Sequence, residues 1–528
     1  MTIDQTLTPV TPAADIDTDV LADFLRIASE SPDHTALVHN GVETSYGDLA
    51  SRVREIGHRY RATRPRSRGS ADLIGLSVAH RPELVEHLFG ILEAGAGYCP
   101  VDATLPVRRK QELAATLGLD RLHELTATAD EADDTRRPSI DDPRPLDNAT
   151  PDSTPVGYVL CTSGSTGTPK PVVVSRHSLS TTVRALRELF GIRPTDRVLQ
   201  FASLGWDTCL EEILPALTGG ATVVFDDAAH SGSLPAFVRM IDENAVTVLD
   251  LPTAFWHEMV LFLTESGIPL PDCVRLVVIG GERVDPTRLA QWRGLGVDDV
   301  ALLNTYGCTE TTMITHAVQL AGPDTEELVS AHGGEAPIGR PLPHVLDHVT
   351  DEGELLIAGA CLATEYLGLP EATAAGFPVA DHGTGRRRWF HTGDIVDRGA
   401  GGLLHARGRK DEQVKIRGVR VHPSEVEAQL NSHPCVAGSV AIGERLLGRT
   451  ALAAYVVATQ EVSAAELKNY LRSRLPGQFV PTKLTFVAAL SYTTSGKVDR
   501  QATRRAATSS RETSTTRSAE TTTKENRP

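Results

Sequence analysis

The sequence has no C-x-x-C pair, no long apolar run, no basic excess and no basic-then-apolar leader, and each absence excludes a class of protein. Its seven cysteines (Cys99, Cys161, Cys209, Cys273, Cys308, Cys361 and Cys435) are scattered. That argues for reduced thiols and against a disulfide framework or a zinc site. No stretch approaches the ~18–20 apolar residues of a membrane span. Lys and Arg number 52 against 68 Asp and Glu, a net charge of −16. Phosphate recognition on nucleic acid or an anionic membrane needs a basic face, so neither partner is expected. The opening MTIDQTLTPVTPAADID is not a signal peptide, and no internal repeat is visible. What is present is ordinary globular composition, 528 residues of which 41% are hydrophobic, enough for a sizeable core. At ~150 residues per domain the length allows three or four domains, or one large body with an appendage. The expectation is a cytoplasmic globular protein.

From about 156 to 307, short apolar runs alternate with helix-length amphipathic segments. Strands are predicted at Gly157–Cys161, Val198–Ser203, Ala221–Phe225, Val246–Leu251, Leu276–Gly281 and Leu302–Tyr306. One intervening helix puts Leu179, Val183, Leu186 and Leu189 on a single face. An earlier unit, Asp72–Val78 then Glu83–Glu93, repeats the pattern. Such alternation implies parallel sheet covered by helices. The Asp/Pro-rich stretch 129–155 reads as a solvated loop. A smaller body begins near Asp411, with helices at Ser424–Asn431 and Ala464–Arg474 and strands near Val436–Ile442 and Leu452–Ala458. From about Thr508 the chain is polar, without an apolar anchor, and reads as disordered.

The strongest local signal is TSGSTGTPK, Thr162 to Lys170, directly after a predicted strand. Small hydroxyl and glycine residues (Thr162, Ser163, Gly164, Ser165, Thr166, Gly167) leave N–H and O–H groups free to approach phosphate oxygens, and Lys170 adds a compact counter-charge. It is not the G-x-x-x-x-G-K-[ST] loop, because Pro169 stands where the second glycine belongs.

Further pieces follow in order: AGAGYCPVD (Ala94–Asp102), NTYGCTET (Asn304–Thr311), GELL (Gly353–Leu356), HTGD (His391–Asp394), GRKDEQVKIRG (Gly408–Gly418) and SGKVDR (Ser495–Arg500). This ordered set, spanning roughly Phe24 to Arg500, resembles the adenylate-forming superfamily of acyl-CoA synthetases, luciferases and nonribosomal peptide synthetase adenylation domains. The resemblance implies an α/β fold. A large N-terminal domain of helix-covered, mostly parallel sheets (24–410) would carry a smaller, mobile α+β C-terminal domain (411–505). A flexible N-terminus (1–23) and a disordered tail (506–528) would flank them. It also implies ATP and Mg²⁺. Gly281, Glu282, Asn304 and Tyr306 match the adenine segment, Glu310 the Mg²⁺ carboxylate, and Asp394 and Arg409 the ribose contacts. Asp411 matches the hinge, and Lys497 the lysine that enters the site during adenylation. Charge builds on phosphate and carboxylate oxygens only during transfer, which suits a mobile lysine. Three positions depart from the family pattern: Pro171 in place of glycine, Cys308 in place of proline, and Ala406 in place of an aromatic near the ribose.

Misplaced carboxylates address the substrate. Asp250 ends an otherwise apolar predicted strand, VTVLDL. The C-terminal ends of such strands open on the ligand crevice, where an unpaired carboxylate is costly. Asp207 and Glu211 fall four apart and share a helix face. No Lys or Arg lies within ten residues of Asp250, so a ligand cation is expected. By resemblance, Asp207 grips the ammonium of an amino-acid substrate. Thr208, Glu211, Asp250, Val278, Gly280, Thr305, Met313 and Ile314 would line the rest of the pocket. Two extra acids imply a second cation on the substrate, and Gly280 is expected to leave room for a long side chain. Charge and length alone indicate a basic diamino acid. The resemblance favours β-lysine, then L-lysine, as in the stand-alone adenylation enzymes of streptothricin-type antibiotic pathways. The thiol acceptor would be phosphopantetheine on a separate peptidyl carrier protein. Rival readings are an acyl- or aryl-CoA synthetase and a non-catalytic amino-acid- or nucleotide-binding protein.

Overall fold

The computed structural model describes residues 19–63, 72–125, 155–163, 169–323, 325–326, 335–411, 413–416, 418–446, 449–491 and 498–507. Gly164, Ser165, Thr166, Gly167 and Lys497 lie outside these residues, as do nearly all of the Asp/Pro-rich stretch and the polar tail from Thr508.

The aliphatic runs form the middle of a nine-stranded sheet. Six parallel strands lie in the order Ala301–Gly307, Leu276–Gly280, Val248–Pro252, Arg197–Leu199, Thr222–Phe225 and Thr35–His39. Antiparallel strands complete both edges. Helices cover the faces, so Val248–Leu251 and Leu276–Ile279 are buried without alternation, as parallel sheets require. A six-stranded sheet carries Leu73–Val78, Gly97–Asp102 and Val156–Thr162, and a four-stranded antiparallel sheet carries Phe390–Arg398 beside Leu404–Arg409. The helix Thr208–Thr218 is buried on nearly every side and packs on both the helix Arg176–Leu189 and the strand Thr222–Phe225. Its acids therefore enter the interior wherever they point.

One strand went unpredicted, and two expectations need correction. The segment after the Gly/Ser loop is a strand, Lys170–Ser175, paired antiparallel with Val156–Thr162 so that Cys161 faces Pro171. Lys170–Ser175 also pairs antiparallel with Glu365–Tyr366, beside the parallel pairs of the rest of this sheet. Pro171 is the second residue of the strand, and its carbonyl accepts from Leu367 N–H at 2.8 Å. The chain is helical from Val20, not loose to 23, because Val20, Leu21, Phe24 and Ala28 form one buried face and the Asp19 side chain caps the helix. At the other end, Ala507 is buried against Val440, Ile442 and Tyr455, so ordered structure continues past 505.

Beyond the strand Leu404–Arg409 a smaller unit has its own core of Val421, Val426, Leu430, Leu467 and Leu471. It is built from a three-stranded sheet, the helices Pro423–Asn431 and Ala464–Arg472, and a short hairpin, Val414–Ile416 with Val419–Val421. This gives the two-domain α/β architecture expected. A buried ion pair joins the two bodies: Arg109 donates to Glu425 at 2.5 Å. The second Glu425 oxygen has no hydrogen-bond partner. Removing one member of such a pair costs ~3–5 kcal/mol. Arg109→Ala is therefore expected to loosen the small domain, seen as faster tryptic cleavage around Arg409 than in wild type. No helix among the described residues is long and apolar enough to cross a membrane.

Candidate functional site

The C-terminal ends of the parallel strands bring the sequence-predicted residues together in two adjoining groups. In the first, Tyr306 is next to last in the strand Ala301–Gly307 and its hydroxyl donates to Asp394 at 2.6 Å. Arg409 donates to the other Asp394 oxygen at 2.7 Å and forks onto Asp411 at 2.6 and 2.9 Å. Asp394, Arg409 and Asp411 thus form one chain from Tyr306 to the start of the small domain. Asn304 donates to the Pro337 carbonyl at 2.7 Å and keeps a buried, unbonded Oδ1, an acceptor available to an exocyclic amine. Gly281 has φ +89°, and a Cβ there would lie 3.2 Å from the Gly418 Cα. Glycine is needed at this close approach.

Glu310 is 4% exposed and receives hydrogen bonds on both oxygens, from the Tyr366 hydroxyl at 3.1 Å and from Arg420 at 3.3 Å. Lys170 lies 5.2 Å over the Tyr366 ring, so the lysine and the carboxylate share one tyrosine. Tyr366 and Arg420 escape a motif-based reading, as do the small-domain contacts around them. The Ser163 hydroxyl donates to the Arg420 carbonyl at 2.9 Å, and Gly418 N–H donates to Glu282 at 2.8 Å. Lys415 stands 5.5 Å over the Tyr306 ring, and burial lowers its ammonium below the usual lysine range. The face of the small domain turned to the cleft is therefore the hairpin 414–421. Val498 and Arg500, which flank Lys497, are anchored within the small domain, Arg500 on Glu427 at 2.8 Å. Of the departures from the family pattern, Cys308 meets the Thr311 hydroxyl at 3.2 Å. Ala406 offers its carbonyl to Arg283 at 3.2 Å.

The second group is a nest of acids. Asp207 immediately precedes the helix Thr208–Thr218 and accepts weakly from the Tyr158 and Thr309 hydroxyls at 3.3 and 3.4 Å. Burial pushes its carboxyl up to about 6. Asp250 sits in the middle of its strand, Val248–Pro252, in register with Val278. It hydrogen-bonds Glu211, and burial pushes it up to about 7. Its Oδ2 has no hydrogen-bond partner. Burial and the neighbouring Asp250 raise Glu211 as well. Glu212, which the sequence did not single out, is spoken for: Phe201 and Ala202 N–H and the Gln200 amide all donate to it. Among the described residues no Lys or Arg pairs with Asp207, Glu211 or Asp250. His257, the nearest potential cation in sequence, accepts from Asp285 N–H at 3.0 Å, and burial lowers its pKa.

Val278, Met313 and Ile314 are buried in the same core cluster. Thr312 and Met313 both have left-handed backbones, φ +55° and +65°. Such strain persists only where surroundings hold it, commonly at ligand sites. Gly280 does not leave the expected room. A Cβ there would fall 2.6 Å from the Thr305 hydroxyl, so the glycine admits Thr305 rather than a long ligand. Beside this group a cleft of about 330 Å³ runs between the bodies, lined by Ser163, Gly205 and Trp206 on one side and Val419, Arg472 and Phe479 on the other. Trp206, next to Asp207, packs on the small-domain core. That volume lies in the range of small-molecule sites.

Asn304, Tyr306 and Asp394 gathered beside strand C-termini and faced by a second, smaller domain define the two-domain architecture of the adenylate-forming class. The chain belongs to the AMP-binding enzyme family, whose model matches residues 24–367, with the AMP-binding enzyme C-terminal domain matching 425–497. It is 36% identical over 492 residues to an isonitrile lipopeptide synthase of Streptomyces coeruleorubidus, covering 90% of this chain and 32% of that protein. It is 32% identical to the phosphinothricin tripeptide synthetase PhsC of Streptomyces viridochromogenes, covering 90% and 44%. The chain therefore spans less than half the length of these curated relatives. Among solved structures it resembles NpsA-ThdA, an artificially fused adenylation–PCP di-domain from Klebsiella oxytoca. The TM-score is 0.75 at 24% identity, covering 89% of this chain and 93% of that one. It also resembles the amide bond synthetase McbA of Marinactinospora thermotolerans, with TM-score 0.76 at 22% identity, covering 92% and 99%.

Proposed function

We propose that the chain activates a basic diamino acid, β-lysine first and L-lysine next, as its aminoacyl-AMP. The acyl group then passes to the phosphopantetheine thiol of a peptidyl carrier protein, within nonribosomal peptide synthesis. One observation carries the substrate class: Asp207, Glu211 and Asp250 are buried together with no basic partner among the described residues. A carboxylate so placed is stabilised by a cation brought in by the ligand. Until then Glu211 and Asp250 relieve their mutual repulsion by sharing a proton, as paired buried acids do. The names of the relatives, which include peptide synthetases and an adenylation–PCP fusion, support the carrier as acceptor.

The chemistry divides among the chain's residues. Asp207 holds the ammonium near the reacting carboxylate, and Glu211 with Asp250 holds the distal one. The substrate carboxylate oxygen bonds to the α-phosphorus of ATP as the bond to pyrophosphate breaks. Asp394 and Arg409 fix the ribose. Lys170, and Lys497 when the small domain presents it, stabilise the charge that grows on phosphate. Glu310, once released by Arg420, would help hold a Mg²⁺ ion, which would neutralise phosphate charge. In the second step the carrier thiolate attacks the acyl carbon and AMP leaves. The cleft beside Trp206 offers a path for that thiol. An acyl- or aryl-CoA synthetase is the poorer reading, because an uncharged tail leaves the acids unpaired.

Substrate-dependent pyrophosphate exchange over L-lysine, β-lysine, ornithine, leucine, benzoate and a fatty acid tests this directly. Exchange with benzoate or fatty acid alone would overturn it. A pH series sharpens the result. The distal cation needs an ionised Asp250, which forms as pH rises through about 7, whereas Asp207, at about 6, serves every amino acid. The preference for lysine over norleucine is therefore expected to grow between pH 6 and 8. The stability sign is opposite. The folded protein holds these protons more tightly than the unfolded chain, so the ligand-free enzyme loses stability as pH rises from ~4 to ~7. A flat selectivity profile would show that Asp250 does not meet the substrate.

A further inference from the structure

We propose that Arg420 and a divalent cation are alternative counter-ions for Glu310, so that departure of the metal is what lets the small domain dock as seen here. The inference rests on the proposed role of Glu310 as the metal carboxylate. Glu310 is almost fully buried, and Arg420 is its ion-pair partner among the described residues. With one oxygen taken by the Tyr366 hydroxyl, the oxygen facing Arg420 is the one open to a cation. A guanidinium and a dication cannot both occupy it. At ~4 Å their repulsion amounts to several kcal/mol even with surface-like screening. A carboxylate this deep in the protein is in turn costly without either.

Arg420 is not an independent side chain. Its carbonyl accepts from the Ser163 hydroxyl at 2.9 Å, and two residues earlier Gly418 N–H reaches Glu282 at 2.8 Å. On the same hairpin, Val419 lines the interdomain cleft. Displacing the guanidinium from Glu310 therefore acts on the strand that carries the docked hairpin. The 3.3 Å Arg420–Glu310 contact is longer than the ~2.7–2.9 Å of a tight charge-assisted pair, the geometry of a contact that can be exchanged. With metal and pyrophosphate gone, Arg420 would supply the positive charge beside Glu310 and the hairpin would settle over the cleft. Arg420 is thus a positioning residue that reports the end of the first half-reaction to the small domain.

Linkage fixes the signs. If metal and docking compete for one carboxylate, removing the competing charge must tighten metal binding and loosen docking. The probe is Mn²⁺ alone, titrated by electron paramagnetic resonance into the full-length wild type, Arg420→Gln, Arg420→Lys and Glu310→Gln. Hydrogen exchange at Val419–Val421 reads docking in the same samples. Expected are loss of one Mn²⁺ site in Glu310→Gln, on the order of tenfold tighter binding at that site in Arg420→Gln, and near-wild-type binding in Arg420→Lys. Mn²⁺ should accelerate exchange at the wild-type hairpin, whereas the Arg420→Gln hairpin should exchange fast with or without metal. Unchanged or weaker Mn²⁺ binding in Arg420→Gln, with the site still lost in Glu310→Gln, overturns the competition alone. Retention of the site in Glu310→Gln overturns the metal assignment beneath it.

Discussion

Lys497→Ala is expected to lower adenylation, measured as pyrophosphate exchange, by on the order of 10²–10³, the usual loss for one preorganised electrostatic contact. ATP binding should change little. Thioester formation from pre-made aminoacyl-AMP should suffer much less, and the domain arrangement supports that asymmetry. The small domain here turns its 414–421 hairpin to the cleft, with Lys415 over Tyr306 and Arg420 on Glu310. The residues flanking Lys497 are tied instead to Glu427 and the Val440 cluster. In this docked state Lys415 and Arg420 are the small-domain charges placed against Tyr306 and Glu310. Equal loss in both half-reactions would show that Lys497 has a general structural role.

Asp250→Asn is expected to collapse the preference for a basic over a neutral substrate. The change keeps the shape and removes one charge from a desolvated site, which costs ~2–5 kcal/mol, or about 30- to 4000-fold in kcat/KM for a lysine-type substrate. Norleucine never uses that charge and should lose far less. Asp207→Asn should impair both, because both carry the ammonium beside the reacting carboxylate. An amide at 250 can still donate to Glu211, so the local packing is kept while the Asp250 charge is lost. An unchanged ratio of the two kcat/KM values in Asp250→Asn would reduce Asp250 to a structural acid and remove the main physical support for a diamino acid.

Read along the chain, local periodicity was sufficient for most elements. The helix Glu83–Glu93 has the predicted bounds, and the aliphatic runs at 276–280 and 301–307 are strands as expected. Their signal lies in a few neighbouring residues. The strand Lys170–Ser175 was not singled out although its run of three valines favours a strand; what short-range pattern could not give is its antiparallel pairing with Val156–Thr162. The site divides in the same way. Motif order marked Asp394, Arg409 and Glu310, since each stands in a short recognisable segment. It could not mark Tyr366 or Arg420, which reach Glu310 from 56 and 110 residues away.

The sequence by itself determined the class of protein and the presence of acids where an apolar interior was due, because both are matters of composition and short-range pattern. Only the tertiary structure decided what those acids do to one another. Burial and the meeting of a helix with a strand join Glu211 to Asp250 and raise both, while Glu212, one residue on, is satisfied by backbone amides. It also decided that Gly280 makes way for Thr305 and that a small-domain arginine balances Glu310. The reason is physical: secondary structure follows from local periodicity, whereas the charge state and partner of a buried group depend on everything that folding brings within a few ångströms of it.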